Sequence, residues 1–152
     1  MVPSRLSAKV VLERLRWVRR MIAEIRALPL DSLEAFTVDV NIPAAAESYL
    51  RRGLEALLDL GRHILAKGFA RAPAEYKEIA NELRAVGILN PDEARLMRDI
   101  AGYRNRMVHF YSEVTIEELH RICTENLPDI ERLVDLIERW IREHPDLIDR
   151  EL

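Results

Sequence analysis

The stretch NPDEARLMRDIAGYRNRMVHFY, residues 90–111, decides how this chain folds. Asn90-Pro91-Asp92-Glu93 is a complete helix start: an N-cap, a proline at the first helical position and an acidic residue three places after the cap. From Pro91 onward Met97, Ile100, Ala101 and Val108 recur at helical spacing, so a helix is predicted that buries this stripe. Arg104 stands on the same stripe, where the pattern asks for a hydrophobe. A half-buried guanidinium costs several kcal/mol unless it is paired or holds an anion. Either Arg104 meets a carboxylate such as Glu47 or Glu55 from another helix, or it is placed there to bind a negatively charged ligand.

Upstream, Val11, Leu15, Val18, Ile22 and Ile25 mark an amphipathic helix from about Ser7 to Ala27. Residues 28–43 carry two prolines and the capping signal Asp31-Ser32-Leu33-Glu34, which predicts a connection holding one helical turn. A second long helix is expected from Pro43 to about Lys67, with Leu50, Leu54, Leu57, Leu58, Ile64 and Leu65 on its apolar face and Gly68 as its stop. Gly53 and Gly61 inside it predict close approach of another helix or of a partner's backbone, because glycine there costs about 1 kcal/mol relative to alanine. A third helix follows Pro73 and ends at Gly87, facing Tyr76, Ile79, Ala80 and Leu83 inward. Downstream, Thr115-Ile116-Glu117-Glu118 reads as a capping box opening the last helix, which Pro128 is expected to kink. With no strand-like alternation and no internal repeat, the expectation is an all-α antiparallel bundle of about five helices. It forms a single domain over residues 1–152, its core running from about 7 to 142.

Composition agrees with that class and excludes others. The 152 residues are 49% hydrophobic and 32% charged, with only 5 glycines and 7 prolines, as in a helical globular protein. One cysteine, Cys123, rules out an internal disulfide framework, and His120 with Cys123 supplies two ligands where a zinc site needs more. Nothing calls for a metal or other cofactor. No apolar run approaches the roughly 18 residues that span a bilayer, and a signal peptide is not evident, so a cytoplasmic protein without membrane attachment is expected. The formal charge of -3 is unevenly spread. Arg5, Lys9, Arg14, Arg16, Arg19, Arg20 and Arg26 face only Glu13 and Glu24 in the first helix, whereas the last forty residues are strongly acidic. This leaves room for a local cationic cleft that takes phosphate, although charge alone favours a pair of solvated helix faces.

Histidine exchanges protons near neutral pH, and an adjacent arginine can stabilise charge building on a phosphoryl group. Those two side chains suffice for metal-free RNA cleavage, because RNA carries its own nucleophile, the 2′-hydroxyl. His109 is the candidate partner of Arg104, while His63, His120 and His144 read as structural. On an ideal helix Asn105 and His109 lie close together, and Arg104 lies near Tyr111 if the helix lasts that long. Arg104 and His109, however, point about 140° apart at 100° per residue. A joint site therefore requires either that the helix loosens before Tyr111 or that two subunits bring their motifs to one cleft.

The run from Arg104 to Tyr111 resembles the HEPN signature: arginine, a polar residue, three more residues, histidine, one residue and tyrosine. The similarity extends to Glu47 through Glu55, to Gly61-Arg62-His63-Ile64, to Tyr76-Lys77-Glu78-Ile79 and to Gly87-Ile88-Leu89, so that residues 7 to 142 resemble HepT-like toxins. This resemblance implies a HEPN-like helical homodimer whose two motifs face a shared cleft. Arg104 and His109 would be the catalytic pair, cutting RNA, and Asn105 would orient His109 or the scissile phosphate. It further implies a partner, a minimal nucleotidyltransferase antitoxin of the MntA type, which adenylylates the motif tyrosine, Tyr111, using ATP. Two other readings compete: a non-catalytic subunit presenting nucleotide or substrate to a nucleotidyltransferase, and a structural bundle in which Arg104 is merely ion-paired.

Overall fold

The Ser7 hydroxyl accepts a hydrogen bond from the N–H of Val10 at 3.2 Å and so caps the first helix, α1 (Ala8–Arg26). The structure is a computed structural model and describes residues 3–109 and 114–150. Helix α1 buries Val11, Leu15, Val18, Met21, Ile22 and Ile25, chiefly along α3 (Asn41–Phe69). Between them α2 (Leu33–Thr37), capped by Ser32, is the single short helix expected in the connection. Next come α4 (Tyr76–Ala85) and α5 (Pro91–Val108), which pack on one another and on α3. The chain closes with α6 (Ile116–Arg121), a π turn over Ile122–Asn126, and α7 (Leu127–Glu143). Helices α1, α3, α4 and α5 answer to periodic stripes in the sequence, α6 and α7 divide the one last helix that was expected, and one contiguous core of buried hydrophobes joins them.

The two interior glycines are places of close approach. A methyl group at Gly53 would stand 3.1 Å from Cβ of Met21 on α1, and one at Gly61 would stand 2.9 Å from Cγ2 of Ile79 on α4. Gly68, by contrast, does not end α3. The helix continues to Phe69, and Ala70 takes the left-handed cap at φ 54°, while Gly68 lies where Leu6 comes near. Gly87, at φ 83°, is the left-handed residue that closes α4.

The start of α5 matches its sequence in full: Glu93 N–H donates to Asn90 Oδ1 at 2.8 Å and Asn90 N–H to Glu93 Oε1 at 2.9 Å. Only half of the second capping box forms. Thr115 accepts from Glu118 N–H, but the Glu118 carboxylate is taken by Arg106. Pro128 acts upstream of itself. Lacking an N–H and crowding the carbonyl four residues earlier, it follows a stretch that has opened into a π turn. A parallel pairing of β1 (Leu6–Ser7) with β2 (Ile148–Asp149) was not legible, since two-residue strands are too short to show alternation. It extends the core outward to Leu6, which is fully buried.

The basic face of α1 meets the acidic end of the chain. Arg19 reaches Asp135 at 2.9 Å and Glu138 at 2.6 Å on α7, and Arg26 reaches Glu131 at 2.5 Å. Two of the seven basic residues of this region, Arg19 and Arg26, are therefore held in partly exposed ion pairs between two helices, while Arg14 lines a cleft with Arg52. No helix among the described residues is long and apolar enough to cross a membrane.

His63 on α3 locks the start of α1, accepting the Ser7 N–H on Nε2 at 3.0 Å. Accepting requires an unprotonated nitrogen, and burial, then Lys67 and Arg14, lower its pKa below the ordinary 6.5. An unfolded chain binds this proton more readily than the native one, so the contribution of His63 is present above about pH 6.5 and is lost as pH falls toward the native value. Urea unfolding at pH 7.5 and 5.5 should show a smaller loss for His63→Gln than for the wild type; equal losses would dismiss His63 as a source of acid sensitivity. Gly61→Ala should lower the urea midpoint. Overpacking against Ile79, whose χ1 is fixed in a helix, costs about 1–3 kcal/mol, more than the roughly 1 kcal/mol gained by alanine in a helix interior. An unchanged midpoint would mean that α4 yields freely.

Candidate functional site at the end of α5

Helix α5 ends one residue before the imidazole. Val108 is the last helical residue, and His109 is extended (φ -90°, ψ 130°), its N–H bonded to the carbonyl of Asn105 at 3.1 Å. This break removes the angular problem posed by an ideal helix. Arg104, Asn105 and His109 line one open cleft of about 490 Å3, together with Arg62 on α3 and Ala74, Glu75 and Tyr76 at the start of α4. Val108, expected on the buried stripe, is 45% exposed because the helix is leaving the core at that point. Helix α5 ends at Val108, and the expected neighbour of Arg104, Tyr111, lies outside the described residues.

Arg104 is neither buried nor free. Its Nε donates to Glu55 Oε1 at 3.2 Å, its Nη1 to Asn105 Oδ1 at 3.3 Å, and its guanidinium lies 4.6 Å from the centre of the Tyr76 ring. The carboxylate is Glu55, one of the two weighed from sequence, and it also receives Arg51 at 3.4 Å. With its side chain 25% exposed, Arg104 still turns part of its five-donor fork to the cleft. Among the described residues no polar or charged side chain is fully buried, so the cation on the apolar stripe is accommodated at a boundary rather than inside the core.

Tyr76 packs partly buried against the core, as its spacing with Ile79 and Leu83 predicts, but it also lines the cleft, a role that the spacing does not reveal. The hydroxyl donates to Asp59 Oδ1 at 3.2 Å, and burial, then the Asp59 carboxylate, push the phenol above its ordinary pKa, so it remains a donor and not a base near neutral pH. Arg62 lies 5.0 Å from the same ring and pairs with Asp59 at 3.4 Å. Glu55, Asp59 and Arg62 follow one another at spacings of four and three on α3, a polar stripe that the leucine pattern of that helix concealed.

The end of α5 is pinned a second time. Arg106 grips Glu118 of α6 through two bonds, at 2.5 and 2.8 Å, and the Arg106 hydrogen bond holds the Glu118 carboxyl below its usual range. The remaining histidines are engaged in structure. His120 bonds to the Leu30 carbonyl at 2.9 Å and packs on Phe36, and His144 bonds to the Trp140 carbonyl at 2.7 Å and stacks on that indole. Cys123 is buried, its thiol pushed up to about 12 by desolvation, and no group of three or more metal-ligating side chains occurs among the described residues.

A family model described as Ribonuclease HepT-like matches residues 18–137. The mRNA nuclease HepT of Shewanella oneidensis is 21% identical over 129 residues, 85% of this chain and 96% of that protein. A tri-AMPylated HEPN toxin of Shewanella oneidensis, solved in complex with an MNT antitoxin, superposes with a TM-score of 0.77 at 21% identity, covering 86% of this chain and 97% of the toxin. YutE, a cytosolic Bacillus subtilis protein of unknown function, superposes with the same TM-score at 16% identity, covering 93% of this chain and 94% of its own. Both structural likenesses establish that the helical arrangement is shared.

Proposed function

Because this chain belongs to the HepT-like ribonuclease family, we propose that it is a metal-independent endoribonuclease and the toxin of a toxin–antitoxin pair, with Arg104 and His109 as its catalytic residues. The observation carrying this reading is the end of α5: by leaving helical geometry, His109 comes to line the same cleft as Arg104. In the reaction the 2′-hydroxyl attacks the adjacent phosphorus, a 2′-O–P bond forms, and the bond to the 5′-oxygen breaks, leaving a 2′,3′-cyclic phosphate and a 5′-hydroxyl. Arg104 stabilises the charge on the non-bridging oxygens, and Asn105 holds the guanidinium in place. An imidazole can take the 2′-hydroxyl proton or give one to the leaving oxygen. Each chain offers one imidazole in the cleft, so a homodimer with facing clefts would supply both proton-transfer groups.

The relatives suggest the biological setting. The name of the Shewanella nuclease makes mRNA the first substrate to assay, and its HEPN toxin is solved with a nucleotidyltransferase-type partner in an AMP-modified state. By the same chemistry, an MntA-type antitoxin would neutralise this chain at Tyr111. The phenol oxygen attacks the α-phosphate of ATP, an O–P bond forms, and pyrophosphate leaves. The added phosphodiester, two residues along the chain from His109, competes with RNA for the cleft's cations.

Purified protein in excess EDTA should cut RNA and leave 2′,3′-cyclic phosphate ends, with Arg104→Ala and His109→Ala each at least about a hundredfold slower. Full activity in both variants would defeat the assignment, and Arg104→Met that folds and cuts normally would favour a purely structural ion pair to Glu55. Incubation with the antitoxin and ATP should add AMP mass to the wild type and none to Tyr111→Phe; equal labelling of the variant would move the modification elsewhere.

A further inference from the structure

Arg62 is a cation without a structural task equal to its cost. Three arginines that join helices among the described residues do so at short range: Arg19, Arg26 and Arg106 meet their carboxylates at 2.5 to 2.9 Å, and Arg104 meets Glu55 at 3.2 Å. Among the described residues Arg62 makes long contacts, to Asp59 and to the Ala74 carbonyl, both at 3.4 Å, and rests its guanidinium 5.0 Å from the Tyr76 ring centre. Its Asp59 partner is a neighbour on the same helix, so the pair ties no two elements together. The side chain is 38% exposed and lines the cleft that holds Arg104 and His109.

The charges around it are arranged in two layers. Glu55 and Asp59, which steady Arg104 and Arg62, do not line that cleft; they line the neighbouring one with Arg14, Trp17 and Arg52. Arg62 and Arg104 face the open side, where Glu75 is the only carboxylate lining the cleft among the described residues. Both guanidinium groups share the Tyr76 ring, at 5.0 and 4.6 Å, which fixes their separation to within the sum of those distances. Like charges within that bound repel one another, and an anionic strand that meets both offsets the repulsion. A guanidinium suits this role because its planar fork matches phosphate oxygens.

On the reading that this cleft cuts RNA, we propose that it contains a second phosphate subsite, centred on Arg62, which binds the phosphate next to the scissile one, and that Tyr76 is the positioning residue holding the two cations in register. Arg104 then serves the reacting phosphate and Arg62 the flanking one. The subsite takes a backbone phosphate of unpaired RNA and is indifferent to base identity.

A diribonucleotide has one phosphodiester and a longer oligoribonucleotide has a flanking one, so comparing them isolates the subsite. Arg62→Ala should raise KM for the oligomer roughly tenfold with kcat unchanged, leave the diribonucleotide unaffected, and be largely rescued by Arg62→Lys. Tyr76→Leu should lower kcat on both substrates and raise KM for the oligomer, and Tyr76→Phe, which keeps the ring, should recover most of that loss. An unchanged KM for the oligomer, or equal damage to both substrates in Arg62→Ala, overturns the proposal. Binding of an uncleavable 2′-O-methyl oligoribonucleotide across a salt series separates this question from catalysis. Arg62→Ala should reduce the salt slope by about one released counterion, and an unaltered slope rejects the subsite. If the wild type binds that oligomer but cuts no RNA, the nuclease reading falls while the slope still decides the subsite; if it binds no RNA, both fall.

Discussion

A guanidinium placed on the apolar stripe of a helix has to be kept out of the core without being surrendered to water, and the functional end of this protein is organised by that requirement. Glu55 supplies the counter-charge to Arg104, Tyr76 supplies a polarisable face, and Asn105 supplies an acceptor from the next residue in the chain. None of these alone would compensate the desolvation of the charge. Together they hold it at the rim, its fork only partly used and the rest of its donors turned to the cleft.

The helices were legible because each rests on a signal that acts locally: the Asn90 to Glu93 box, the Ser7 and Ser32 caps, the leucine stripe of α3, and the left-handed Gly87. Glu55 was one of the two carboxylates weighed for Arg104 because it lies on a helix long enough to pass α5. Less legible was whatever depends on competition between distant groups. Arg106 draws Glu118 away from its own capping box, and Ala70 accepts a left-handed cap that glycine two residues earlier would have taken more cheaply. Tyr76 follows the apolar period of α4 yet serves the cleft, since periodicity reports which face a residue occupies and not whether that face ends at a cavity. The position of His109 was open in the sequence for a similar reason. Its orientation depends on where α5 unwinds, and no cap motif marks that end.

Charge distribution has a related logic. A protein of net charge -3 would seem poorly suited to an anionic polymer, yet net charge describes the far field and not a cleft. Arg19 and Arg26 of α1 are matched by carboxylates of α7, whereas Arg62 on α3 and Arg104 on α5 line the open cleft. Screening by salt weakens attraction over long distances far more than contact within a concave site. The proposed function therefore asks for local capture of a strand and not for long-range steering.

The contact at Gly61 reaches further than packing. Ile79, which closes on that glycine, lies three residues from Tyr76 on α4, so the two side chains share one face of the helix. The missing methyl at Gly61 thus acts as a spacer gauge between two rods. Its thickness sets how high the aromatic ring stands under the arginine forks, although no ligand ever touches the glycine. Alignment of the chemistry is in this way inherited from a tolerance in the scaffold, and drift at an inward-facing, chemically inert position would retune the cleft as surely as a change within it.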